Sequence, residues 1–127
     1  MDPVYVLSEQ QAWAIGAAVF FMVFDVVSGF LAALVNQEVS SSKMRVGLGH
    51  KMVLLLMIAL ALGIEVFSLH VSGLGFGGVT VTAVCAFIVV MEVASILENL
   101  RKAYPDIDGW KIMKIFENSA AGENKEG

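Results

Sequence analysis

Three carboxylates interrupt stretches that are otherwise almost entirely apolar: Asp25, Glu65 and Glu92. A carboxyl group inside hydrocarbon must be protonated, paired or wet, because a charged residue at the centre of a bilayer costs roughly 2.5 to 3.5 kcal/mol on translocon scales. Chemically, such a group can relay a proton or cation, or it can line water. The neighbours of each acid show which side of a helix it takes. At helical spacing Ala18, Ser28, Gly29, Ala32 and Asn36 share the side of Asp25, while Phe20, Phe24, Val27, Leu31 and Leu34 lie opposite. Glu92, Ser95 and Asn99 follow one another on a single face, with Cys85 two turns earlier on the same side and Glu98 at its margin. Ala61, Glu65 and Ser68 share a third face.

Small residues let helices approach closely, as in the pairs Ser28 with Ala32 and Gly29 with Ala33, and polar groups can then bond across the contact. Two readings of the Asp25 face stand level: a packing seam with one buried acid, or a surface that meets water. Glu65, near the end of its run, is expected to reach the headgroups. Glu92 is not, because its polar stripe continues. The candidates for a pore or helix interface are therefore Asp25, Ser28, Gly29, Ala32, Glu92, Ser95, Glu98 and Asn99. No catalytic, cofactor-binding or metal-ligating constellation accompanies them. His50 and His70 flank the second apolar run at opposite ends, Cys85 is the only cysteine, and the glycines between Gly73 and Gly78 fit no phosphate-binding spacing. Neither enzyme activity nor nucleic-acid binding is expected.

The elements that must carry these residues follow from composition. With 57% hydrophobic residues, only 16% charged and a mean hydropathy of +0.77, the 127-residue chain lacks the charge to cover a soluble surface. Its apolar residues come in blocks long enough for a bilayer: Trp13 to Val35, Met52 to Leu69 and Val79 to Leu97. The third opens with Val79-Thr80-Val81-Thr82, a strand-like run in water, but in lipid the backbone must satisfy its own hydrogen bonds and helix wins. Beyond Pro105, Trp110, Ile112, Met113, Ile115 and Phe116 beside Lys111 and Lys114 predict a short interfacial helix over about 107–117. Residues 120–127 are expected to be disordered. The expected fold class is thus all-α, an integral membrane bundle of about three transmembrane helices in a single domain over 1–119.

Orientation is read from Lys and Arg near the span ends. Lys43, Arg45 and Lys51 are expected in the loop between spans one and two, and Arg101 and Lys102 follow span three, whereas no Lys or Arg precedes Lys43. Three spans put both basic segments on one side, with the N-terminus outside and the C-terminus in the cytoplasm. The absence of an N-terminal basic segment also argues for a retained first span rather than a cleaved signal.

Three stretches in order resemble the phage holins of the lysis and toxin-secretion family: Asp25-Val26-Val27-Ser28-Gly29, then Ser41-Ser42-Lys43 with Gly47 and Lys51, then Glu92-Val93-Ala94-Ser95-Ile96-Leu97-Glu98-Asn99-Leu100. The last is the most specific, and the likeness runs from about Asp25 to Phe116, departing at Asp108 where a second proline is expected. The resemblance implies a homo-oligomer in the bacterial cytoplasmic membrane, its partner the lipid bilayer and its role the release of an endolysin or toxin, with no cofactor. The alternative on residues alone is a small transporter or accessory membrane subunit with Asp25 and Glu92 as a relay.

Overall fold

In the computed structural model, which describes residues 7–74, 80–106, 114–115 and 117–119, each apolar run is a helix whose start is fixed by a hydroxyl group. Helix α1 (Glu9–Val35) begins with a capping box: Ser8 Oγ accepts from the Gln11 N–H at 3.1 Å, and Gln11 Oε1 accepts from the Ser8 N–H at 3.0 Å. Ser40 caps α2 (Ser41–Ser68) through the Lys43 N–H, and Thr80 caps α3 (Val81–Ala103) through the Ala83 N–H. Each cap satisfies one of the amide donors that a helix start leaves open, a contribution of about 1 kcal/mol. The β-branched residues at the start of α3 do not prevent helix, as the lipid argument requires.

All three helices are long and apolar enough to cross a bilayer. Their 27, 28 and 23 residues rise about 34 to 42 Å against a hydrocarbon core of roughly 30 Å. The fold is the expected all-α membrane bundle, and a short C-terminal helix includes Lys114, Ile115 and Glu117 to Ser119. Most of the segment expected to lie at the interface, 107–117, is outside the described residues. So are the expected disordered tail at 120–127 and residues 75–79 of the glycine-rich connection.

Helix α2 departs from expectation at its start, which is Ser41 and not Met52. The Ser40 cap initiates the helix well before the apolar run, so Lys43, Arg45 and Lys51 lie within α2 rather than in a loop. The true connection is only Asn36 to Ser40, turned by Gln37 at a left-handed φ of 57°.

The helices run up, down and up, so α1 and α3 are parallel and α2 is antiparallel to both. Contacts are unevenly shared: α1 and α3 pack against each other along their length, whereas α2 touches either one sparingly. Ala18 and Met22 of α1, Ile58 and Ala61 of α2, and Val81, Cys85 and Ile88 of α3 form the central cluster. The bulky residues Phe20, Phe24, Leu31, Leu56, Leu60 and Phe87 point outward. Large apolar side chains turned outward suit an exterior solvated by lipid, and Ala18, Ala61 and Cys85 inside let the helices approach closely.

Candidate functional site

The central cluster gives way, toward the α1–α2 turn, to a layer of charge with one residue from each helix. Asp25 (9% exposed) comes from α1, Lys51 from α2 and Glu92 (3% exposed) from α3. The Lys51 Nζ donates to Asp25 Oδ2 and to Glu92 Oε2, each at 2.5 Å. Asn99 completes the layer. Its Nδ2 donates to Asp25 Oδ1 at 2.9 Å and to Ser28 Oγ at 3.1 Å, while Ser28 Oγ donates to the Asp25 carbonyl at 3.0 Å. Both oxygens of Asp25 are thus engaged, one by a charge and one by an amide. Among the described residues no buried side-chain nitrogen or oxygen lacks a partner.

The local sequence explains why these groups can meet. Gly29 has no side chain where a Cβ would stand 3.4 Å from Asn99 Nδ2, so the amide of α3 reaches across to α1. Ala32 is buried one turn further on, and Asn36 Nδ2 donates to the Lys102 carbonyl at 3.1 Å, closing the seam at the helix ends. Electrostatically, the layer holds two carboxylates and one ammonium. Removing one partner of a buried ion pair costs roughly 3 to 5 kcal/mol, because the other charge is left uncompensated. With all three groups ionised, the layer still carries one negative charge that Lys51 cannot neutralise.

Below this layer the first half of α2 stands away from α1 and α3, leaving a cavity of about 700 Å³. Its walls include Val26, Phe30, Met44, Leu48 and Met91; its polar lining includes Lys43, His50, Ser95 and Asn99, with Lys51, Asp25 and Glu92 beside them. The cavity reaches from the α1–α2 turn, where Glu38 and Ser40 border it, up to the charged layer. On the far side of that layer lies the apolar cluster.

A second polar layer sits at the opposite end. Glu65 Oε1 accepts from the Val81 N–H at 2.7 Å, and its Oε2 accepts from Gln11 Nε2 at 2.5 Å. The expectation that Glu65 reaches for headgroups is therefore corrected: it is half-buried and turned inward onto the first turn of α3. An open backbone donor and the positive end of the helix dipole both favour a carboxylate there.

The structure thus gathers Asp25, Ser28, Gly29, Ala32, Glu92 and Asn99 along the α1–α3 seam, and places Ser95 on the cavity wall. Glu98 is not among them. It lies outside, paired with Lys102 at 3.3 Å in an exposed i,i+4 contact of small energetic weight. Lys43, Arg45, Arg101 and Lys102 are exposed near the helix ends. Lys51 is the exception, since its ammonium is committed to the interior. The signal for it was in the sequence: Lys51, Leu54, Ile58, Ala61 and Glu65 recur at helical spacing, so a stripe traced back from Ala61 and Glu65 ends on Lys51.

Compared with known proteins, the sequence matches the bacteriophage holin family over residues 5–118. No curated protein and no solved structure matches it. Because the family match takes in all three helices together with both polar layers between them, the chain belongs to the bacteriophage holin family.

Proposed function

We propose that this holin-type membrane protein accumulates in the bacterial cytoplasmic membrane as a homo-oligomer and then opens holes through which an endolysin or toxin leaves the cytoplasm. The observation that carries the reading is the charged layer of Asp25, Lys51 and Glu92, with Asn99 beside it, enclosed in a bundle whose exterior suits lipid. A subunit of this kind is inert while its polar groups satisfy one another. Once they are turned toward water, the same groups form the wall of an aqueous path. Family membership supports the direction of that change. A carboxylate relay in a transporter would need a path on both sides of Asp25 and Glu92, whereas here the apolar cluster of Met22, Ile58 and Ile88 lies beyond them.

Expression in a bacterium together with a peptidoglycan-degrading enzyme that has no export signal should give abrupt lysis after a delay. Without that enzyme, growth should halt and the cells should stay intact. Selective loss of one ion gradient, with the enzyme retained inside, would show a transporter instead.

The proposed orientation has the N-terminus outside and the C-terminus in the cytoplasm. It rests on Lys43, Arg45, Arg101 and Lys102, all exposed at the end of the bundle that holds the α1–α2 turn. A phosphatase that is active only in the periplasm should be silent when fused after Ser119 and active when fused before Ser8. The opposite pattern would reverse the bundle in the membrane.

A further inference from the structure

Helix α2 is joined to the rest of the bundle differently from the way α1 and α3 are joined to each other. The α1–α3 seam is continuous, built from small residues and from the Asn99 and Asn36 bonds. Helix α2 contributes only Ile58 and Ala61 to the fully buried apolar cluster. What else holds it is polar and sits at two heights, Lys51 on Asp25 and Glu92, and Glu65 on Gln11 and Val81. Its first half is separated from its neighbours by the cavity.

We infer that Asp25 and Glu92 form a cation site on the α1–α3 pair, that Lys51 is its built-in occupant, and that α2 is the element that withdraws it. The inference rests on the hole-forming reading and says which part of the subunit moves. Two carboxylates with the Ser28 and Ser95 hydroxyls nearby are oxygen donors suited to a hard monovalent cation. In the closed bundle an ammonium fills the position, leaving one negative charge over. When α2 leaves, that ammonium goes with it, and the uncovered face attracts mobile cations such as potassium. The cavity gives water a short way to the charged layer, and the weak apolar attachment of α2 makes it the helix that separates at least cost.

Cys85 is a native reporter of this movement, because it is fully buried in the apolar cluster beneath α2 and is the only cysteine. In vesicles carrying the full chain, a membrane-impermeant methanethiosulfonate reagent should label it slowly before opening. Lys51→Met should raise that rate about tenfold or more, as expected when one partner of a buried ion cluster is removed. Lys51→Arg should stay near the parent rate. The neutral combination of Lys51→Met, Asp25→Asn and Glu92→Gln should be slow again.

If Lys51→Met fails to insert, the parent charges can be kept and the movement tested directly. With Ile58→Cys, a short bismaleimide joining α2 to Cys85 should block opening. In the opened state, the initial leak should favour potassium over chloride, and Asp25→Asn with Glu92→Gln should abolish the preference. Parent-like protection of Cys85 in inserted Lys51→Met, unimpeded opening of crosslinked subunits, or a leak without cation preference would each overturn the inference. Faster Cys85 labelling with no enzyme release would support the α2 movement while overturning the hole-forming reading.

Discussion

Asp25→Asn should delay lysis severalfold or suppress it, at unchanged amounts of protein in the membrane. The charged layer has two carboxylates for one ammonium, and the surplus must be met by a proton or by a cation from the cavity. Asparagine removes that requirement. Its amide oxygen can still accept from Lys51, and a flip of the Asn99 amide lets a carbonyl face the new NH₂ group. What is left is a one-to-one pair of Lys51 with Glu92. An uncompensated charge at this depth costs roughly 2.5 to 3.5 kcal/mol. Even about 1.4 kcal/mol of added closed-state stability lowers the open fraction tenfold. Lysis timing with immunoblotting of membranes checks the result, and earlier lysis would mean that the surplus charge does not drive opening.

Glu65→Ala should destabilise the bundle by about 1 to 3 kcal/mol, more than Glu65→Gln. Alanine leaves the partly buried Val81 N–H without its acceptor and removes the contact of Glu65 with Gln11 Nε2. Each unsatisfied group costs about 1 to 3 kcal/mol. Glutamine keeps an oxygen for the Val81 N–H, so its loss should stay within about 1 kcal/mol. Denaturation midpoints in detergent micelles distinguish the two. Equal midpoints would place Glu65 outside the forces that hold α2 to α3.

The inner face of α1 is legible in the sequence because small and polar residues alternate with bulky ones at helical spacing, and Ala18, Asp25, Ser28 and Ala32 are all buried. The stripe from Cys85 through Glu92 to Asn99 followed from the same spacing on α3. Lys51 and Glu65 turn inward against what their positions in the sequence suggest, for one shared reason. A charge near the end of an apolar run points by position to the nearest water, although a long side chain within α2 can equally turn inward if another helix offers a counter-charge or an open backbone group. Spacing within one helix shows which residues share a face. It does not show what that face meets, and the partners of Lys51 and Glu65 lie on other helices.

The separations along the chain between the three charged residues also set an order of events during synthesis. Lys51 follows Asp25 by 26 positions, across the short turn from Asn36 to Ser40, whereas Glu92 lies 41 positions beyond Lys51. At about 5 to 20 residues per second, the ribosome needs roughly 2 to 8 s to supply that last stretch. During this interval the first hairpin can enter the bilayer with Asp25 and Lys51 already matched. The second carboxylate of the charged layer arrives only with α3, as does the Val81 N–H that Glu65 meets, so the layer stays balanced until the helix that completes it is made.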